Sequence, residues 1–293
     1  MAAAPGLATR PADGAAPLRI GVFDSGVGGL SVLRAIRARL PGSELLYAAD
    51  TGFAPYGDRG EEEIRERARR VLGFLHAQGA QLLVMACNTA TTVAIGDLRL
   101  APGMPAIVGV EPGVKPAVAL SANGRIGVLA TTRTIASEKV RRLISAHGAG
   151  ADVRLQACPG LADAIEAAGA EAQTGDAAVA ALVERYSAPL REAGVDVAVL
   201  GCTHYVFARA LFERALPGVR LVDTADAVAR QTARLAAGID VRIDAADSAA
   251  PPAAAPAFGN GLARAFSSGD PQVLARFARR WLDWRVDVQP MDC

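Results

Sequence analysis

Short apolar runs alternate with amphipathic stretches along the chain, and this alternation predicts an α/β fold with mainly parallel sheets. Leu18–Phe23 reads as a first strand, followed by the turn Asp24-Ser25-Gly26-Val27-Gly28-Gly29. Apolar positions at helical spacing run from Leu30 to Leu40, where Pro41-Gly42 stops them. Glu44–Ala49 is a second strand. Glu61, Glu62 and Glu63 open the next helix, where carboxylates favour the positive end of the macrodipole. Ile64, Ala68, Val71, Leu72 and Leu75 then recur on one face. Gln81–Ala86 is a third strand, with Cys87 at its carboxyl end.

The second half repeats the plan. Arg125–Leu129 is a strand, Thr131–His147 a turn and helix, and Val153–Ala157 another strand. Helical patterns fill Leu161–Ala170 and Thr174–Ala193, and the strand Val195–Leu200 leads to Gly201-Cys202. Ile20-Gly21-Val22-Phe23-Asp24-Ser25 corresponds to Ile126-Gly127-Val128-Leu129-Ala130-Thr131. Ala86-Cys87-Asn88-Thr89 corresponds to Gly201-Cys202-Thr203-His204. This weak internal repeat implies two similar lobes related by a pseudo-two-fold axis. The expected division is a flexible leader over 1–17, a first domain from 18–110 plus 223–285, and a second from 111–222. A flexible Ala/Pro-rich insertion covers 243–256 and a tail covers 286–293. Val219–Val222 and a helix over Ala225–Ala236 cross back to the first lobe, and Phe266–Asp270 with a helix over Pro271–Trp284 ends the fold.

Composition narrows the function. The chain has 293 residues, with 31 Lys+Arg against 30 Asp+Glu, a formal charge of +1. That balance gives no electrostatic reason for a nucleic acid or an anionic membrane as partner. Hydrophobic residues make up 51%, enough for a sizeable core, yet no run approaches the roughly 18 unbroken apolar residues of a membrane span. Residues 1–17 contain no continuous apolar region of the secretory kind, so the cytoplasm is the expected location. Cys87, Cys158, Cys202 and Cys293 are too sparse for a disulfide scaffold and, with His76, His147 and His204, lack metal-site spacing. Lys115 and Lys139 are the only lysines, and neither sits in an evident pocket for pyridoxal phosphate, which needs a lysine.

In an open parallel sheet, ligands bind beyond the carboxyl ends of the strands. Cys87 and Cys202 both occupy that position. A thiol, with an ordinary pKa of about 8.5, is poised as a base by a helix N-terminus or a nearby cation. If the lobes face each other, two such thiols flank one cleft, one on each side of a substrate carbon. That geometry suits a racemase needing no cofactor. A single strand-end cysteine is ordinarily just a buried small hydrophobe. Matched placement and the polar followers Asn88-Thr89 and Thr203-His204 favour chemistry for this pair. Cys158 keeps the ordinary role, and Cys293 is expected to be exposed and incidental.

The run Gly21-Val22-Phe23-Asp24-Ser25-Gly26-Val27-Gly28-Gly29-Leu30 resembles the opening of bacterial glutamate racemases, within the aspartate/glutamate racemase family. So do Asp50-Thr51, Pro55-Tyr56-Gly57, Ala86-Cys87-Asn88-Thr89-Ala90 and Gly201-Cys202-Thr203-His204-Tyr205, in that order over residues 18–284. The resemblance implies two α/β domains facing across a cleft and cofactor-independent, metal-free interconversion of L- and D-glutamate. The product supplies peptidoglycan synthesis, and a homodimer is among the expectations. It makes Cys87 the acid/base thiol for the D-enantiomer and Cys202 that for the L-enantiomer. Asp24, His204 and Glu166 become assisting groups. Ser25, Pro55, Tyr56, Gly57, Asn88, Thr89, Thr131, Thr134 and Thr203, with Asp24 and His204, become substrate contacts. The family usually has glycines in the turn written here Ala130-Thr131-Thr132-Arg133-Thr134, and Val206 stands where a proline commonly follows His-Tyr.

Other readings compete. Gly26-Val27-Gly28 before a helix, with Asp50 ending the second strand, resembles a dinucleotide fingerprint, but Ser31 holds the third glycine position. An aspartate or hydantoin racemase, or a one-cysteine decarboxylase, keeps the fold and changes the chemistry. A two-lobed binding protein of periplasmic type fits the architecture but not the absence of an export signal.

Overall fold

The computed structural model describes residues 17–148, 150–169, 176–239 and 262–293. The leader up to residue 16 and the 243–256 insertion lie outside the described residues.

Strand β1 (Arg19–Asp24) is followed by helix α1 (Leu30–Arg39), β2 (Glu44–Ala49), α2 (Glu61–Ala77), β3 (Leu82–Met85), α3 (Asn88–Leu100) and β4 (Ala106–Gly109). Next come α4 (Val114–Leu120), β5 (Arg125–Ala130), α5 (Thr132–Ala136), α6 (Glu138–His147), β6 (Asp152–Ala157), α7 (Leu161–Ala168) and α8 (Ala177–Glu192). The chain continues through β7 (Val197–Leu200), α9 (Arg209–Ala215), β8 (Arg220–Val222), α10 (Ala225–Ala236), β9 (Leu262–Ser267), α11 (Pro271–Leu282) and β10 (Val288–Pro290).

The strands form two sheets, β10-β9-β2-β1-β3-β4 and β6-β5-β7-β8, and every described pairing is parallel. The order β2-β1-β3-β4 recurs as β6-β5-β7-β8, which is the repeat expected from the sequence. Register makes the match specific: Phe23 pairs with Met85 and Leu129 with Leu200, so each cysteine lies two residues beyond the last pair. β3 and β7 are buried along their whole length, as strands covered on both faces must be. One apolar core joins the lobes, running from Ile20, Val22 and Leu33 to Leu200, Tyr205 and Phe212. Separate clusters fill the outer faces of each sheet.

Several elements differ from the sequence reading. The helix expected up to His147 breaks at Ser137, whose hydroxyl accepts from the Val140 N–H and caps α6. The last strand before α11 begins at Leu262, not Phe266. Residues 286–293 are more than a tail, because β10 pairs with β9 and closes the edge of the larger sheet. Neither pairing has a local signature. Ala170 and Thr174, expected helical, lie outside the described residues. Among the described residues no helix is long and apolar enough to cross a membrane.

Candidate active site

Cys87 lies two residues beyond β3 and caps α3. Its sulfur accepts from the Ala90 N–H at 3.4 Å and lies 3.3 Å from the Ser25 hydroxyl. A helix N-terminus favours a thiolate, but burial and the charge of Asp24 outweigh it and push the Cys87 thiol up to about 12. Cys87 therefore holds its proton at neutral pH.

Cys202 occupies the equivalent position in the other lobe and leads into a tight helical turn over Thr203–Ala208. Its sulfur is 3.8 Å from His204 Nδ1, while His204 Nε2 is 2.7 Å from Glu166 Oε2 on α7. Burial opposes a charge on His204, yet Cys202 and Glu166 together raise its pKa well above the ordinary value. The ring stands between the two groups, with one nitrogen facing the sulfur and the other the carboxylate. The two thiols thus have unlike neighbours: hydroxyl and amide at Cys87, a hydrogen-bonded His–Glu pair at Cys202.

Asp24 ties the two sides together. It is fully buried, and burial raises its pKa to about 6, against the pull of His204, the Gly26 N–H and Thr203. Its carboxylate accepts from Gly26 N–H at 2.9 Å and from the Thr203 hydroxyl at 3.0 Å. Thr89 meets Thr131 across the cleft at 2.9 Å and Thr134 at 3.3 Å.

The cleft between the lobes has an empty volume of about 400 Å³ counted out to its mouth. Cys87, Cys202, His204, Glu166, Ser25, Pro55, Tyr56, Gly57, Asn88, Thr89, Thr131 and Thr203 all line it. Asp24 and Thr134, both expected as contacts, do not: each is fully buried and holds a neighbour in place. Ser25, rather than Asp24, is the group bonded to the Cys87 sulfur. Tyr56 presents its ring to the cleft, and its hydroxyl turns away to Asp50. Cys158 is buried in the shared core, as expected, whereas Cys293 is half-buried beside Arg67.

Asn88 has no partner for either polar atom of its amide, although it is buried on the cleft wall. A buried unsatisfied group costs about 1–3 kcal/mol, so a polar ligand here is strongly favoured. Asp163 was not singled out from the sequence. It lines the cleft one helical turn before Glu166, and burial together with the charges of Asp58 and Glu166 raises its carboxyl pKa. The three-residue spacing from Glu166 on an amphipathic helix was the available signal.

The glycine run has a different purpose from phosphate binding. A Cβ on Gly28 would stand 2.3 Å from Thr203 Oγ1, and one on Gly26 would stand 2.5 Å from Glu166 Oε2. These glycines let the first lobe approach α7 and the Thr203–Ala208 turn of the second. Asp50, the supposed ribose acid, is consumed by Arg67 at 2.7 Å. Both features speak against the dinucleotide reading.

Comparison with known proteins agrees with this geometry. The sequence pattern of the Asp/Glu/Hydantoin racemase family matches residues 20–232. A glutamate racemase of Herpetosiphon aurantiacus is 50% identical over 222 residues, covering 75% of this chain and 85% of that protein. One from Pseudomonas putida is 46% identical over 259 residues, covering 88% and 91%. Among solved structures, Escherichia coli glutamate racemase in complex with L-glutamate and the activator UDP-MurNAc-Ala superposes with a TM-score of 0.77 at 30% identity, covering 94% of this chain and 98% of that one. A glutamate racemase isoform from Bacillus anthracis gives 0.77 at 28% identity, covering 93% and 97%.

Proposed function

The chain belongs to the Asp/Glu/Hydantoin racemase family, and from its cleft we infer that it interconverts L- and D-glutamate by proton transfer between Cα and two thiols. One observation carries the reading: cysteines at equivalent strand ends of two repeated sheets line a single cleft.

From L-glutamate, Cys202 takes the Cα proton, and the electron pair left on Cα spreads into the α-carboxylate. Cys87, kept protonated by burial, delivers its proton to the opposite face. The thiolate so formed is received by the Ser25 hydroxyl and the Ala90 N–H. The reverse direction exchanges the roles. His204, supported by Glu166, balances the charge on Cys202 while it is a thiolate, and after turnover Cys202 gives up the proton it has gained while Cys87 regains one from solvent, which resets the site for L-glutamate. Substrate carboxylates meet hydroxyls and an amide, from Ser25, Asn88, Thr89, Thr131 and Thr203, through hydrogen bonds to charged acceptors. The names of the relatives favour glutamate over aspartate or hydantoin.

In the cell the D-glutamate feeds peptidoglycan synthesis in the cytoplasm, with a pair of identical chains as the expected assembly. Optical rotation tests the activity: L-glutamate without added cofactor loses its rotation, and L-aspartate under the same conditions keeps it. A constant rotation with glutamate rejects the proposal.

A further inference from the structure

The segment Asp50-Thr51 has no part in the chemistry above, yet Asp50 is the most heavily bonded carboxylate near the cleft. It has no solvent exposure, and Arg67 on α2 is only 5% exposed. Arg67 donates to Asp50 through Nε at 3.0 Å and Nη2 at 2.7 Å. The Ser268 hydroxyl donates to Oδ1 at 2.6 Å, and the Tyr56 hydroxyl donates to Oδ2. The Asp50 N–H donates to the Asp24 carbonyl at 3.0 Å. Arg67 is itself held, stacked 3.7 Å from the Phe53 ring and bonded to the Cys293 carbonyl. A second clasp lies beside it, where Thr51 meets the Ser267 hydroxyl at 2.7 Å and the Gly52 N–H meets Ser268 Oγ at 3.1 Å.

Of these partners only Tyr56 lines the cleft among the described residues. It belongs to the segment Ala54–Gly57, which contributes Ala54, Pro55, Tyr56 and Gly57 to the wall. A short loop of this kind takes its position from side-chain bonds rather than from a sheet ladder. We propose that Asp50, held by Arg67 and Ser268, is a positioning residue that fixes Tyr56 and with it the Ala54–Gly57 wall of the cleft. Asp50 touches neither thiol. Loss of its hold loosens a wall that contacts substrate and transition state alike, so binding weakens while the proton transfers proceed.

This inference rests on the glutamate reading and is tested alongside it. Tyr56→Phe removes only the hydroxyl that reaches Asp50. Its KM for glutamate rises about tenfold while kcat stays within about threefold of the parent, the signature of lost uniform binding. Asp50→Asn gives the same split. Where that variant fails to fold because Arg67 is left buried and unpaired, Asp50→Asn combined with Arg67→Met removes the stranded charge and shows the same rise. Tryptic cleavage after Arg59 supplies a readout independent of substrate, accelerating about threefold or more in each variant if the loop is freed. Unchanged KM and unchanged cleavage in a folded Tyr56→Phe protein overturn the inference, as does a fall in kcat at constant KM. A parent chain inactive on glutamate rejects the proposed function, and the cleavage assay still decides the role of Asp50.

Discussion

Asp24, at the end of β1, accepts a hydrogen bond from Thr203 at 3.0 Å, and this bond crosses between the lobes. Asp24 precedes Ser25, which touches the Cys87 sulfur, and Thr203 follows Cys202. This buried contact therefore links the two thiol-bearing segments directly. It comes at a cost, since a carboxylate without solvent exposure binds a proton more readily than in the unfolded chain.

That cost has a sign. The folded-state pKa of Asp24 is raised from 3.8 to about 6, so its contribution favours folding at low pH and is lost as pH rises through that window. Asp24→Asn, which cannot ionise, gains stability relative to the parent by up to about 3 kcal/mol between about pH 4 and pH 7. Thermal or urea unfolding of both proteins across that range measures the difference. A difference that stays flat or shrinks contradicts the raised value.

Cys87→Ala and Cys202→Ala each lose racemisation by about a thousandfold or more in both directions, because one base cannot serve both faces of Cα. Cys158→Ala keeps its turnover and loses about 1 kcal/mol of stability from the core. Polarimetry and chemical denaturation separate the two outcomes. Near-normal turnover in either of the first two variants sinks the two-base mechanism.

The pH profile of kcat/KM reports the free enzyme. Because the equilibrium constant between enantiomers is one, the profile is the same in both directions. With the Cys87 thiol pushed up to about 12, the activity shows no decline through about pH 8–9, where an ordinary thiol titrates. A midpoint near about 8.5 on the basic limb would falsify the assignment of Cys87 as the protonated partner.

In D₂O, D-glutamate formed from L-glutamate carries deuterium at Cα from the earliest turnovers, while remaining L-glutamate stays protiated. The proton taken by Cys202 differs from the one that Cys87, exchanged with solvent, delivers. Proton NMR of the separated enantiomers reads both. Early D-product that retains hydrogen points to a single base.

Asn88→Leu separates binding from stability. The amide is buried with both polar atoms unpartnered, so its removal leaves the free protein as stable as the parent or about 1 kcal/mol more so. The KM for glutamate rises about tenfold or more, since the substrate loses the partner that was waiting for it. A KM unchanged beside a lower melting temperature gives Asn88 a structural role instead.

Much of this protein is local in the sequence. An apolar run flanked by small polar residues is a buried parallel strand wherever it occurs, so the repeated plan and the two strand-end cysteines were legible without a structure. The polar residues after each cysteine were legible for the same reason. The partners were not. That Asp24 meets Thr203, that Gly26 and Gly28 make room for Glu166 and Thr203, and that Asp50 goes to Arg67 depend on residues far apart in the chain. No spacing rule reaches across those distances. The same holds for β10, whose edge pairing lacks a periodic signal of its own. Electrostatic character followed burial: identical thiols at matched positions acquired unlike neighbours, a hydroxyl for Cys87 and an imidazole backed by a carboxylate for Cys202. The sequence determined where the two sulfurs sit on their sheets, and tertiary packing alone decided the surroundings of each, burying Cys87 so that it keeps its proton and placing the His204–Glu166 pair beside Cys202, because desolvation and neighbouring charge are properties of the assembled cleft.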